Sequence, residues 1–153
     1  STDNTVSIWR VEAGECVHRF VFPSPILRAV FHPRDSKMLL ITPIRYGALL
    51  LTVPSQSDES PPVQLIPLDD PSEPNVVASF DRTGEHIYTG NVKGKILVHR
   101  TQNLKPVTSF RVHNQASSVS AIKSIEFPRR GSRFLVNTAD RVIRIYDTAL
   151  VLS

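Results

Sequence analysis

Phe31-His32-Pro33-Arg34-Asp35-Ser36 is a short segment that recurs twice further along the chain. It returns as Phe80-Asp81-Arg82-Thr83-Gly84-Glu85 and again as Phe127-Pro128-Arg129-Arg130-Gly131-Ser132. The phenylalanines that open these segments are 49 and then 47 residues apart. A turn-rich segment that follows an apolar residue at nearly constant spacing indicates that the chain is built from repeated structural units.

A second series of segments runs in phase with the first. It comprises Thr5-Val6-Ser7-Ile8-Trp9-Arg10, Lys95-Ile96-Leu97-Val98-His99-Arg100 and Val142-Ile143-Arg144-Ile145-Tyr146-Asp147. In this alignment Trp9, Thr52, His99 and Tyr146 take equivalent places, 43, 47 and 47 residues apart. A period in the forties that consists of short strands is typical of a β-propeller of the WD40 kind. The predicted fold is therefore all-β, a WD40-type propeller segment of about three blades of four-stranded antiparallel sheets.

The strands within these units are predicted from β-branched and aromatic runs bounded by turn residues. They are Thr5 to Val11, Cys16 to Phe22, Ile26 to Phe31, Met38 to Thr42, Ala48 to Val53, Val63 to Pro67, Asn75 to Phe80, His86 to Thr89, Lys95 to Arg100, Val107 to Val112, Ile122 to Phe127, Phe134 to Asn137 and Val142 to Tyr146. The domain prediction is a partial propeller over 1–153, with a truncated blade at 1–22, blades at 26–67 and 75–112, and an incomplete blade at 121–153. The fourth strand of the last blade is either missing or reduced to Ala149-Leu150-Val151-Leu152.

Composition sets broad limits on function. The formal net charge of +4 and the isoelectric point of about 9.6 permit a polyanionic partner without requiring one. The single cysteine, Cys16, excludes an internal disulfide and favours an intracellular setting. No signal peptide is visible, and apolar runs such as Ala48 to Leu51 are too short to span a membrane.

Motifs for catalysis are missing from the sequence. No glycine-rich phosphate loop, paired-histidine zinc motif or paired-cysteine motif is present. The five histidines lack metal-ligand spacing, and Asp69-Asp70 has no partner base. We therefore predict that the protein is not an enzyme, with no catalytic, cofactor-binding or metal residues and no small-molecule substrate.

Basic residues recur in equivalent turns. In a propeller, the second-to-third-strand turns and the connections between blades emerge on one face, here called the upper face. The upper face carries Arg45, Lys93 and Arg141 in successive turns, with Lys95 at a strand start. Such an arc can follow a phosphate backbone with little dependence on sequence. The remaining turns form the lower face, which is also basic through Arg34, Arg82, Arg129, Arg130 and Arg133, so charge alone does not choose between the faces.

Several longer stretches are more specific than a generic propeller repeat. They include Phe22-Pro23-Ser24-Pro25-Ile26-Leu27, Asn75-Val76-Val77-Ala78-Ser79-Phe80-Asp81-Arg82, Ile87-Tyr88-Thr89-Gly90-Asn91, Lys93-Gly94-Lys95-Ile96-Leu97-Val98, Ala121-Ile122-Lys123-Ser124-Ile125-Glu126-Phe127 and Asn137-Thr138-Ala139-Asp140-Arg141. Together they closely resemble the retinoblastoma-binding protein 5 family, the WD40 subunits of trithorax/MLL-type histone H3 lysine-4 methyltransferase complexes. The resemblance runs from Ser1 to about Asp147.

The resemblance implies a non-catalytic, nuclear scaffold that regulates chromatin and transcription through histone methylation. Its implied partners are the other subunits of the methyltransferase complex and the nucleosome, which it would contact at DNA phosphates and at a histone surface. Ala139-Asp140-Arg141 matches the family's DNA-facing turn, and the family's use of an interblade loop points to a partner loop with His113, Asn114, Gln115, Ser117 and Ser118. The alternative is a WD40 scaffold that binds a peptide or RNA in another nuclear or cytoplasmic assembly.

Overall fold

The structure is a computed structural model of the 153-residue chain. It describes residues 4–10, 14–44, 47–53, 63–68, 70, 72–112 and 119–153, and the account below concerns these residues.

The described chain forms thirteen strands and one short helix. The strands are β1 (Thr5–Arg10), β2 (Glu15–Val21), β3 (Ile26–Phe31), β4 (Met38–Pro43), β5 (Leu49–Thr52), β6 (Val63–Leu65), β7 (Asn75–Phe80), β8 (His86–Asn91), β9 (Lys95–Arg100), β10 (Pro106–Arg111), β11 (Ile122–Glu126), β12 (Arg133–Thr138) and β13 (Ile143–Asp147), and the helix is α1 (Thr148–Leu152).

The strands form a series of antiparallel sheets in chain order. The first sheet pairs β1 with β2, the second has the order β3-β4-β5-β6, the third β7-β8-β9-β10 and the fourth β11-β12-β13. All the pairings join strands that are consecutive in the chain. Neighbouring sheets contact one another, since β7 touches β4 of the second sheet and β11 of the fourth. The all-β prediction is confirmed, and the bounds of β3, β7 and β9 match those predicted.

The cores lie between the sheets because each strand turns alternate side chains to opposite neighbours. In β4, Leu39 and Ile41 pack toward the first sheet, whereas Leu40 packs toward the third. In β8, Ile87 packs toward the second sheet and Tyr88 toward the fourth. Both faces of the middle strands are therefore apolar, which explains their continuous hydrophobic runs.

The register corrects one predicted equivalence. Leu51 pairs with Leu39, as His99 pairs with Ile87 and Tyr146 with Phe134. Leu51, not Thr52, therefore takes the place of His99 in the second sheet. Leu51 lies 20 residues after Phe31, whereas His99 and Tyr146 lie 19 residues after Phe80 and Phe127, because the turn after Phe31 is one residue longer. Thr52 is one residue beyond the paired position, and a shift of one residue moves a side chain to the other face of its strand.

An aromatic cluster closes the core between the third and fourth sheets. The ring of Tyr88 meets Phe127 edge-on at 4.9 Å and Phe134 at 5.1 Å, and Phe134 stacks on Tyr146 at 5.5 Å. Such pairs each contribute about 1 kcal/mol beyond the area they bury. Burial raises the pKa of Tyr88 to about 12.

The C-terminal tail is helical, so its interpretation as a reduced strand is wrong. The Asp147 carboxylate accepts a hydrogen bond from the Ala149 amide at 2.9 Å and caps α1. Val151 and Leu152 then pack against the core between the third and fourth sheets. Ile143 and Ile145 lie on the face of β13 that is turned away from the third sheet and are 63% and 64% exposed. No helix among the described residues is long and apolar enough to cross a membrane.

Candidate functional site

Two tight turns of the upper face are built on the same backbone plan. The β8–β9 turn closes with the Gly94 amide donating to the Asn91 carbonyl at 3.4 Å, and the β12–β13 turn closes with the Arg141 amide donating to the Thr138 carbonyl at 3.1 Å. Gly94 has φ +79° and Arg141 has φ +66°. Arg141 therefore occupies the place of Gly94 rather than that of Lys93, although both cations lie in equivalent turns.

Asn91 organises the turn that carries Lys93. Its side-chain oxygen accepts hydrogen bonds from the amides of Lys93 and Lys95, both at 2.9 Å. Asn91, the last residue of β8, thus stabilises this hairpin. In the fourth sheet Asp140 has the same role, because its carboxylate accepts the Val142 amide, but it lies within the turn itself. The side-chain nitrogen of Asn91 donates to Glu73 Oε2 at 3.2 Å and ties the turn to the connection that precedes β7.

Lys93 is not a free cation. Its ammonium lies 2.7 Å from Glu73 Oε1, with the Lys93 side chain 54% exposed and the Glu73 side chain 15% exposed. The hydrogen bond that the Lys93 ammonium donates to Glu73, followed by the charges of Glu73 and Asp70, raises the pKa of Lys93. Because Glu73 offsets its charge, Lys93 offers a phosphate less attraction than its exposure suggests.

Arg111 is a basic residue of this surface that the sequence interpretation missed. It ends β10, is exposed, and donates from Nη1 to the Lys93 carbonyl at 2.8 Å. The bond uses part of the guanidinium and leaves its charge unneutralised, since Arg111 forms no ion pair within the described chain. A signal was available in the sequence, because the outermost strand of a blade ends at the same face as the second-to-third-strand turn.

The turn that carries Arg141 has its own internal charge balance. The Asp140 carboxylate accepts hydrogen bonds from the Thr138 hydroxyl and from the Val142 amide, the latter at 3.2 Å. Arg144 lies 3.5 Å from Asp140 and donates to Thr138 at 2.7 Å. The Thr138 hydrogen bond is the main cause that lowers the pKa of Asp140, and the Val142 amide and Arg144 also lower it, against the opposing effect of desolvation. Arg144 therefore offsets the charge of Asp140, which precedes Arg141 in the turn.

Among the predicted site residues that the structure describes, Arg141 is the one that is exposed without an ion pair. Its side chain is exposed and has no ion pair with any described residue. Lys95 is half-buried at the first position of β9 and faces a more enclosed environment. The structure therefore ranks Arg141 above Lys93 and Lys95 as a contact for an external anion.

The remaining predicted positions lie outside the described residues. These are Arg45 and the partner loop with His113, Asn114, Gln115, Ser117 and Ser118. The residues that flank the loop both lie at the β8–β9 turn. The Val112 amide donates to the Gly94 carbonyl at 2.8 Å, and a Cβ added at Gly94 would approach the Ser120 carbonyl oxygen to 2.8 Å.

The basic residues of the lower face are exposed as well. Arg34, Arg82, Arg129, Arg130 and Arg133 all belong to this group. No cluster of histidine, cysteine or acidic side chains in the described part of the chain could hold a metal ion. The exposed arginines of both faces carry the charge that anionic partners bind.

Comparisons with known proteins identify the relatives. No family model matches the chain. It is 50% identical over all 153 residues to the Retinoblastoma-binding protein 5 homolog of Drosophila melanogaster, and 30% identical over 96% of its length to the Retinoblastoma-binding protein homolog 5 of Caenorhabditis elegans. The chain belongs to the retinoblastoma-binding protein 5 family. It spans about 30% of the length of these relatives.

The fold of this member of the retinoblastoma-binding protein 5 family also matches a solved propeller. The β-propeller domain of Cps50 (Swd1) from Myceliophteria thermophila superposes with a TM-score of 0.81 over 95% of this chain and 46% of that chain, at 19% identity. This likeness confirms the WD40-type propeller prediction. A more distant relative is the Eukaryotic translation initiation factor 3 subunit I of Meyerozyma guilliermondii, 27% identical over 96% of this chain and 45% of that protein. Membership in the retinoblastoma-binding protein 5 family and the propeller fold together identify the chain as part of a WD40 propeller.

Proposed function

We propose that this chain is part of a non-catalytic scaffold subunit of a histone H3 lysine-4 methyltransferase complex, and that its upper face docks the complex on nucleosomes. Its partners are then the other subunits of that complex, nucleosomal DNA and an adjoining histone surface, and its location is the nucleus. Membership in the retinoblastoma-binding protein 5 family supports the scaffold role.

The docking proposal rests on the exposure of Arg141 and on its lack of an ion pair with any described residue. Its guanidinium is exposed at a turn, and Arg144 offsets the neighbouring Asp140. A cation in this state can exchange bound counterions for a DNA phosphate without first breaking an internal ion pair. Arg111 and the partly neutralised Lys93 lie in the adjacent sheet and extend the same electrostatic surface. Contacts of this kind position a complex on DNA without reading its sequence.

Nucleosome binding by the full-length protein tests the proposal. Arg141→Ala is expected to weaken the affinity and to reduce the slope of log affinity against log salt by about one unit for the lost contact. Arg141→Glu is expected to weaken binding further because it adds repulsion. Changing the DNA sequence of the nucleosome is expected to alter these losses little.

The lower face supplies matched controls. Arg129→Ala and Arg130→Ala each remove one exposed turn arginine and are expected to change nucleosome affinity less than Arg141→Ala. If these variants lose affinity while Arg141→Glu binds normally, the docking face is the lower one and the proposal is wrong. Nuclear co-purification with a lysine-4 methyltransferase tests the scaffold role separately, and co-purification with a different assembly instead would contradict it.

A further inference from the structure

The third of the recurring segments, Phe127-Pro128-Arg129-Arg130-Gly131-Ser132, ends on a serine that the docking proposal does not use. Ser132 is exposed on the lower face, and two arginines stand two and three residues before it. Some serine/threonine kinases carry carboxylates in their peptide-binding groove and select substrates with arginine at these positions, because guanidinium and carboxylate groups form strong paired hydrogen bonds. The segment therefore has the charge pattern of a phosphate acceptor.

The position of Ser132 is accessible even in a blade that has neighbours on both sides. Its equivalent in the third sheet is Glu85, whose carbonyl accepts the Thr101 amide at 3.0 Å. The Ser132 carbonyl accepts the Thr148 amide in the same way, at 2.7 Å. The third sheet contacts both the second and the fourth sheet, and Glu85 and Arg82 are nevertheless exposed. The exposure of Ser132 therefore belongs to its place in the blade.

This turn is held by fewer backbone hydrogen bonds than its equivalent in the third sheet. There the Asp81 amide donates to the His86 carbonyl at 3.0 Å, and the Gly84 amide donates to the Asp81 carbonyl at 3.2 Å. Pro128 takes the place of Asp81 and has no amide to donate. The amides of residues 129–131 form no backbone hydrogen bond within the described chain. Such a segment can be drawn into the peptide groove of an enzyme at little cost in free energy.

We propose that Ser132 is phosphorylated by a serine/threonine kinase that recognises arginine on the N-terminal side of its acceptor. Arg129 and Arg130 are exposed, form no ion pair with any described residue, and can each pair with a carboxylate of the kinase. In the transfer, Ser132 Oγ forms a bond to the γ-phosphorus of ATP while the bond from that phosphorus to the β–γ bridging oxygen breaks. ADP leaves, and the hydroxyl proton passes to the catalytic aspartate of the kinase.

The modification acts on the contact that begins α1. Ser132 Oγ lies 3.5 Å from Asp147 Oδ2, and the other oxygen of that carboxylate accepts the Ala149 amide and caps the helix. A phosphate carries a charge of about −2 and repels a carboxylate placed beside it. Phosphorylation is therefore expected to weaken the cap and to loosen the helix, whose Val151 and Leu152 pack against the core. The site lies on the face opposite to Arg141, so its success or failure is independent of the nucleosome-docking proposal.

Phosphorylation of the folded full-length protein tests this proposal. The probe is ATP with the catalytic subunit of cyclic-AMP-dependent protein kinase, which selects arginine two and three residues before its acceptor, and mass spectrometry locates the phosphate. Modification of Ser132 is expected, and Ser132→Ala is expected to abolish it. Arg129→Ala and Arg130→Ala are each expected to lower kcat/KM at Ser132 by about tenfold, the loss of one charge-assisted contact. Circular dichroism checks that each variant remains folded, as the exposure of all three residues leads us to expect.

The chain supplies two matched controls. Ser36 is exposed in the equivalent turn of the second sheet, but Asp35 precedes it and Pro33 stands three residues before it. Ser36 is therefore expected to remain unmodified. Arg82→Ala removes an exposed arginine of the neighbouring turn and is expected to leave the rate at Ser132 unchanged.

Hydrogen exchange of the Ala149 amide measures the effect on α1. Exchange is expected to be about fivefold faster in the phosphorylated protein, the factor that corresponds to the loss of a helix N-cap. Unchanged exchange would overturn the proposed effect on the helix. The proposed site itself is overturned if Ser132 is modified only after unfolding in urea, if Ser36 is modified equally fast, or if Arg82→Ala slows the reaction as much as Arg129→Ala.

Discussion

His32 donates a hydrogen bond from Nε2 to the Gly84 carbonyl at 2.9 Å and so joins the first turns of two neighbouring blades. The donor is Nε2 because His32 Nδ1 already accepts the Arg34 amide at 3.0 Å. The Gly84 carbonyl also accepts the Thr101 hydroxyl at 2.6 Å. The contact spans 52 residues of sequence, and it leaves no space for a side chain at Gly84.

We predict that Gly84→Ala lowers the free energy of unfolding by about 2–4 kcal/mol, because the new methyl group overpacks the site and the backbone is left-handed. A Cβ at this position would lie 2.1 Å from His32 Nε2, and Gly84 has φ +80°. Urea unfolding measures the loss. Gly131→Ala is the control, since Gly131 has φ +94° but nothing within 4 Å of its added Cβ.

The control isolates the effect of the clash from that of the backbone. Gly131→Ala is expected to cost about 1–2 kcal/mol from its left-handed conformation alone. Equal losses of unfolding free energy in the two variants would mean that the His32 ring moves aside without cost. The contact between the two blades would then not be tightly packed. The double variant with His32→Ala is expected to recover part of the loss, because the two residues are in contact.

Arg141→Gly is predicted to separate stability from DNA binding. Arg141 adopts φ +66°, a conformation that costs a non-glycine residue about 1 kcal/mol or more. Removing its side chain should leave the free energy of unfolding unchanged or raise it by up to about 1 kcal/mol. Nucleosome affinity should fall as it does for Arg141→Ala. Arg141→Lys should keep most of the affinity, and a clear loss of stability in Arg141→Gly would show that the arginine side chain supports the fold.

Glu73→Gln is predicted to strengthen nucleosome binding. The change removes the charge that neutralises Lys93 and keeps an oxygen that can accept from Asn91. Affinity is expected to rise by roughly threefold at low salt, with a steeper dependence on salt, because one more cation becomes available to phosphate. In a Lys93→Ala background the same substitution is expected to have little effect. Equal gains in both backgrounds would place the effect elsewhere than at Lys93.

His99→Phe is predicted to alter the dependence of stability on pH. The imidazole is 3% exposed, its Nδ1 lacks a hydrogen-bond partner among the described residues, and burial lowers the pKa of His99. The unfolded chain therefore takes up the proton first as the pH falls below the ordinary histidine value of 6.5, and the free energy of unfolding decreases. His99→Phe should lack this decrease in the free energy of unfolding at low pH.

Urea unfolding at about pH 7.5 and about pH 5.5 measures the difference between the variant and the parent. At the higher pH the variant is expected to be more stable by about 1 kcal/mol, since an unpartnered buried polar atom is removed. The advantage should grow at the lower pH. Parallel changes in both proteins would show that His99 does not contribute to the acid sensitivity.

Much of the fold could be predicted because its signals are local. The recurring phenylalanines marked the ends of inner strands, and the apolar runs predicted β3, β7 and β9 with their observed bounds. The tail was harder, because Ala149-Leu150-Val151-Leu152 suits a strand or a helix and the cap supplied by Asp147 decides between them. The candidate site was predicted only in part. Arg141 was found from its turn, whereas Arg111 depended on which strand ends lie beside the β8–β9 turn.

The sequence by itself determined the repeat, the strands and the faces on which the turns emerge, because these follow from the order of neighbouring residues. Only the tertiary structure decided which basic side chains are neutralised by an ion pair, as Lys93 is by Glu73. Lys93 and Glu73 are 20 residues apart and meet because β7 pairs with β8, which sets Asn75 opposite Asn91 and brings the connection before β7 beside the turn after β8. The difference between Leu51 and Thr52 arises in the same way, since strand register depends on pairing across a sheet. Charge pairing and register depend on distances between segments that no local pattern encodes.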